Sequence, residues 1–209
     1  MNVTTRQVHI GSVAVGGGAP VSVQSMTNTR TRDVAATLAQ IERLTEAGCH
    51  IVRLAVPDDE SVRAFAAIRK HTNLPLVADI HFNYTLALAA MDAGADKIRI
   101  NPGNIGKREH VKEIVQHAVR HAIPIRVGVN SGSIEKAILQ QEGGPTVAAL
   151  VASALNHIEW CREFGAHDLV LSLKSSDVLD TVQAYRLVSQ KTDVPLHIGI
   201  TEAGTVRSG

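Results

Sequence analysis

Seven short aliphatic runs are introduced by two kinds of junction that alternate without exception along the chain. Proline opens the first, third, fifth and seventh, in Ala19-Pro20-Val21, Leu74-Pro75-Leu76, Ile123-Pro124-Ile125 and Val194-Pro195-Leu196. A glycine that follows an amphipathic stretch precedes the second, fourth and sixth, in Ala47-Gly48, Ala93-Gly94 and Phe164-Gly165. Glycine at such a point supplies the left-handed residue that closes a helix. The runs begin near Val21, His50, Pro75, Asp96, Pro124, Asp168 and Pro195 with stretches of helical length between them, so the chain is an internal repeat of βα units. Repeated βα units build a parallel sheet, and seven in succession predict an α/β fold, a (β/α)8 TIM barrel truncated after strand seven. Val8-His9-Ile10 and Val13-Ala14-Val15 predict an N-terminal β-hairpin within residues 1–18 that closes the barrel bottom, leaving 19–209 as the incomplete barrel domain. On this reading strands one and seven each present an unpaired edge, which predicts an aggregation-prone protein unless something covers them. A doubly wound open sheet is the alternative, but Gly16-Gly17-Gly18 precedes a strand and opens no helix, so no dinucleotide fingerprint supports it.

Within each strand, residues two apart share a face. Leu76, Ala78 and Ile80, then Ile125, Val127 and Val129, then Leu196, Ile198 and Ile200 make one face wholly aliphatic. The opposite face carries Val77, Asp79 and His81, then Arg126, Gly128 and Asn130, then His197, Gly199 and Thr201. In the glycine-led strands Arg53 and Ala55, Arg99 and Asn101, and Val170, Ser172 and Lys174 occupy the same polar face. Helices cover the outside of a barrel, so the polar face lines the interior, where branched aliphatics are usual. Arg53, Arg99, Arg126 and Lys174 then converge at the C-terminal mouth with Asp79 alone opposing them, and glycines leave room above Arg126 and beside His197. Clustered cations that lose hydration call for an anion. Arginine forks match phosphate oxygens, and the loops Asn101-Pro102-Gly103-Asn104-Ile105-Gly106 and Asn130-Ser131-Gly132-Ser133 suggest two phosphate groups. A ligand-free network of arginines with Asp79, Glu202 and strand-end carbonyls is the competing reading. Asp79 and His81 at i, i+2 could hold a metal, which the neighbouring arginines disfavour. His117 and His121 form an HxxxH pair on an amphipathic helix outside the barrel and read as a solvated face.

The chain has 209 residues, 21 basic and 20 acidic, for a net charge of +1, so no global field gathers nucleic acid or anionic lipid. Aromatics at 3% leave no stacking platform for bases. No apolar run of membrane-spanning length and no signal-peptide region is present, and Cys49 and Cys161 lie far apart without ligand-like spacing. These features predict a soluble, cytoplasmic protein with two buried thiols and no metal ligands.

Wording adds to spacing. Val23-Gln24-Ser25-Met26-Thr27-Asn28-Thr29, Val52-Arg53, Pro75 through Phe82, Arg99 through Gly106, Arg126 through Ser133 and Gly199-Ile200-Thr201-Glu202-Ala203-Gly204 together resemble, in order, the 4-hydroxy-3-methylbut-2-enyl diphosphate synthases of non-mevalonate isoprenoid biosynthesis. The resemblance implies an oxidoreductase whose barrel holds 2-C-methyl-D-erythritol 2,4-cyclodiphosphate while it is reductively opened and dehydrated. It implies Arg53, Arg99, Arg126 and Lys174 on the diphosphate, Asn101, Asn130 and His81 as hydrogen-bond partners, and Asp79 orienting His81 or an arginine. Glu202 is the candidate proton donor, with His81 as a second catalytic candidate. It further implies a 4Fe-4S cluster on three cysteines and a glutamate of a separate C-terminal domain that this sequence does not contain, ferredoxin or flavodoxin as electron donor, and a homodimer with a shared site. The chain alone would then bind without reducing. A cluster-free phosphate-handling lyase, aldolase or pterin-binding transferase related to dihydropteroate synthase is the alternative, with Lys174 as a Schiff-base lysine, and a non-catalytic binding module is a third reading.

Overall fold

Helix ends account for the junctions. In the structure, a computed structural model that describes residues 4–199, four helices finish with the amide two residues past the C-cap reaching back five positions: Cys49 to Leu44, Ala95 to Ala90, Ile123 to Ala118 and Ala166 to Cys161, at 2.9–3.1 Å. The residue between must take positive φ. Gly48, Gly94 and Gly165 do so before the glycine-led strands. The fourth is Ala122, at φ 52° the one non-glycine residue with positive φ among the described residues, just ahead of Pro124.

Strands β1 (Gln7–Ile10) and β2 (Val13–Gly16) form an antiparallel hairpin. The chain then alternates β3 (Gln24–Met26), α1 (Val34–Glu46), β4 (Ile51–Ala55), α2 (Asp59–Arg69), β5 (Leu76–Asp79), α3 (Tyr84–Asp92) and β6 (Lys97–Ile100). It continues through α4 (Pro102–Ile105), α5 (Arg108–Arg120), β7 (Ile125–Asn130), α6 (Lys136–Gln141), α7 (Val147–Glu163), β8 (Leu169–Lys174) and α8 (Val178–Val188). Strands β3 to β8 pair in chain order and all in parallel, and Leu196 extends the order with a parallel bridge to Leu171. A doubly wound sheet reverses its strand order at a switch point. None occurs among the described residues, and the sheet has the sequential topology of an open TIM barrel.

The first strand begins at Gln24 rather than at Val21. Its neighbour β4 starts only at Ile51, and the Val23 amide donates instead to His50 Nδ1 at 3.0 Å, so no ladder exists further back. The aliphatic face behaves as its pattern predicts: Val52, Leu54, Ile98, Ile100, Val127 and Leu171 are fully buried in one core with residues of the covering helices. Ile10 of the hairpin packs on Ile51 and Val77, with Val13 and Val15 against them. On the seventh strand Leu196 is partly buried while Ile198 is exposed, and at the opposite edge Val21 is exposed.

Candidate functional site

The other face of the same strands lines the barrel axis. Asp79, Arg99 and Arg126 are successive register partners across β5, β6 and β7. Arg126 is 1% exposed and Arg99 is 7% exposed. Asp79 lies 3.2 Å from Arg99 Nη1, 3.7 Å from Arg53 Nε and 3.4 Å from His81 Nε2. Burial opposes its charge, yet the hydrogen bond from His81 and the charges of Arg53 and Arg99 outweigh that and hold the carboxyl at about 2. Arg53 also rests its guanidinium on the Met26 thioether, with Nη2 2.8 Å from Sδ. Arg126 has no carboxylate partner among the described residues, and its Nε and Nη1 are buried without a hydrogen bond. Burial first, then Arg53 and Arg99, push it down to about 9, still cationic at neutral pH. Lys174 is lowered to about 8 by burial and then by Arg126, Arg53 and Arg99, and His197 to about 2 by burial and then by Arg126, Lys97, Lys174 and Arg53.

Two loops at the mouth are tied together. Asn101 is wholly buried, its Oδ1 accepting from the Gly103 amide at 3.1 Å and its Nδ2 donating to Ser133 Oγ at 2.8 Å. Glu135, just past Ser133, meets α7: its carboxylate accepts from Ser153 Oγ and from Asn156 Nδ2, and its Oε1 lies 2.9 Å from Nε2 of the wholly buried His157, off the line of an ideal hydrogen bond. Burial raises the Glu135 carboxyl, but His157 and Ser153 prevail and lower it to about 2. Seen from outside the barrel, α7 therefore fixes both loops.

Cations gathered on a parallel-barrel interior suit several phosphate-handling families, and similarity separates them. Residues 5–209 match the GcpE TIM-barrel domain. The chain belongs to that family. It is 54% identical over 209 residues to the 4-hydroxy-3-methylbut-2-en-1-yl diphosphate synthase (flavodoxin) of Caldanaerobacter subterraneus subsp. tengcongensis, across 100% of this chain and 59% of that protein. To the protein of the same name in Natranaerobius thermophilus it is 55% identical over 205 residues, across 98% and 58%. The chain thus spans about three fifths of the length of these curated relatives. Among solved structures, 3-dehydroquinate dehydratase from Geobacillus kaustophilus superposes with TM-score 0.69 at 15% identity, over 94% of this chain and 79% of that one. Dihydropteroate synthase from Xanthomonas albilineans gives 0.65 at 19%, over 92% and 76%. At such identities the likeness shows the barrel alone.

Of the residues singled out in the sequence, Arg53, Asp79, Arg99 and Arg126 come together in the family's barrel, with Lys174 and Asn130 as register partners at the mouth. His81 stands half-exposed beside Asp79. Glu202 lies outside the described residues. The room made by Gly128 is used differently from the expectation: a Cβ there would come within 2.9 Å of Arg99 Nε, so it is the Arg99 guanidinium that occupies the space above Arg126. Asn101 spends both ends of its amide on the loops.

The strand reading missed Lys97. It shares the face of Arg99 two residues on, is 1% exposed, and donates to Gln24 Oε1 at 3.1 Å. Burial, then Arg126 and Arg53, lower its amine to about 7. Gln24, Ile51, Lys97, Val170 and His197 line a cavity of about 400 Å³ beside the hairpin. The two thiols do not form a ligand set for an iron–sulfur cluster. Both are buried, Cys161 inside the α7 core with its thiol pushed up to about 12 by burial. No described helix is long and apolar enough to cross a membrane.

Proposed function

We propose that the chain is the substrate-holding barrel of a 4-hydroxy-3-methylbut-2-en-1-yl diphosphate synthase, gripping both phosphates of 2-C-methyl-D-erythritol 2,4-cyclodiphosphate while the ring is reductively opened and dehydrated. One observation carries this: among the described residues Arg126 is buried with two nitrogens unpaired and lies among Arg53, Arg99 and Lys174. An isolated buried charge is strongly unfavourable, whereas a guanidinium fork and a phosphate form short bidentate bonds. Asp79 holds Arg53 and Arg99 in place. Asn130 and the loop anchored by Asn101 frame the second phosphate.

Loss of a hydroxyl requires a proton. Glu202 is the candidate donor of that proton and His81 the second, and the contact of the half-exposed His81 with Asp79 supports the latter. The reduction consumes two electrons, and the thiols of this chain fit no cluster, so its own part is binding and proton delivery. A 4Fe-4S cluster, flavodoxin or ferredoxin as donor, and a homodimer with a shared site belong to the same reading of the whole enzyme; the flavodoxin in the names of the two relatives supports that donor. Lys174 keeps a lowered pKa that would also serve a Schiff base, but its cationic neighbours favour the phosphate role.

Calorimetric titration of the chain with the cyclic diphosphate tests the reading. Binding is expected, and Arg126→Met should weaken it about ten- to hundredfold, as loss of a charged hydrogen bond of about 1.5–3 kcal/mol requires. Absence of binding, or equal affinity for the variant, would overturn it.

A further inference from the structure

On the outside of the barrel, α3 and α5 pack side by side over the sheet. His117 and His121 lie four residues apart at the end of α5 and therefore share a helix face. Their imidazoles stack with centroids 4.5 Å apart. The last residue of α3, Asp92, sets Oδ1 2.8 Å from His117 Nε2. One donor atom from each of the three lies within 4.8 Å of the others. The spacing of the histidines alone indicated a solvated face; the carboxylate arriving from a second helix changes that.

We propose that Asp92, His117 and His121 bind a divalent transition-metal cation of the zinc class and so clasp α3 to α5. Two imidazoles and a carboxylate suit Zn²⁺, Ni²⁺ or Cu²⁺ and not Mg²⁺, which selects oxygen donors. Three protein ligands leave a coordination position for water. The backbones of two packed helices already hold the donors at near-ligating separations, so side-chain rotation alone completes the set. Arg120 opposes binding: its Nη2 lies 3.4 Å from His117 Nδ1. That nitrogen must carry the proton when Nε2 ligates, so the guanidinium has to swing out, and its charge repels the cation. The site sits apart from the cationic interior, and its test is independent of the diphosphate reading.

The experiment is titration of the untagged full chain with ZnCl₂ by calorimetry, with thermal melts alongside. Wild type should bind one Zn²⁺ more tightly than His121→Ala by about tenfold or more, Arg120→Ala should bind more tightly than wild type, and MgCl₂ should give no binding. Zinc should raise the melting temperature of wild type and leave that of His121→Ala unmoved, because only the bound native state gains. His121 is exposed, so its loss leaves the fold intact for the comparison. Equal zinc affinity and stoichiometry in wild type and His121→Ala, or no binding by either, would overturn the proposal.

Discussion

The outward and inward faces of the same strands follow opposite rules. Leu54, Ile98 and Ile100 point outward into helices and are saturated by apolar neighbours from this chain. One residue away along the backbone, Arg53, Lys97, Arg99 and Arg126 point inward, where among the described residues Asp79 is the carboxylate within reach and polar atoms of Arg99, Arg126 and Ser172 stay unpaired. Among the described residues the outer face finds its partners within the chain, and the inner face leaves polar groups without them. Alternation at period two lets one strand do both, so stability and recognition are written on separate residues and are separable by mutation.

The largest effect should come from the outer face. Leu54→Ala removes a fully buried side chain and should cost about 2–5 kcal/mol in denaturant unfolding, while the affinity of the remaining folded protein for diphosphate stays unchanged. Next is the pin behind the mouth. Glu135→Ala leaves Ser153 and Asn156 without their acceptor and the buried His157 without its carboxylate neighbour, and should lower stability by about 1–3 kcal/mol. Unlike Leu54→Ala, it should also weaken diphosphate binding, because both loops lose their anchor; calorimetry of the folded variant distinguishes the two.

The inner face should also declare itself through pH. Lys97 and Lys174 sit at about 7 and about 8 in the folded chain against 10.5 when unperturbed. Between pH 7 and pH 9 the unfolded chain therefore holds more protons, and these lysines make the stability of the unliganded protein rise with pH. Lys97→Met should flatten that rise. A bound anion favours the charged amines, so diphosphate binding at pH 8 should take up protons and weaken as pH increases, measurable as a dependence of binding heat on buffer ionisation. The smallest effect is a helix end: Ala122→Gly relieves a left-handed alanine and should stabilise by about 0.5 kcal/mol, read in the same melts.

Both faces were legible in the sequence, because alternation needs only the strand positions, and the proline and glycine junctions mark those. The edges were harder. The start of β3 depends on where β4 begins beside it, a tertiary fact that the Pro20 signal does not contain. Lys97 was legible in principle, two residues before Arg99, but counting the face from a point further along the run passed over it. Asn101 reads as a ligand from its loop motif; that its amide is spent on Gly103 and Ser133 follows only from how the two loops meet. The contact of Glu135 with His157 joins residues 22 apart through the packing of α7, and no local pattern announces it.

The sign of one melting-temperature change tests the central claim. Arg126→Met keeps the volume and removes a buried charge that is unpaired among the described residues, so without ligand the variant should melt above wild type, and the cyclic diphosphate should raise the melting temperature of wild type well beyond its effect on the variant. A variant that melts below wild type in the absence of ligand, with an equal shift on adding the cyclic diphosphate, would show that Arg126 is a structural residue and that the interior was not built around an anion.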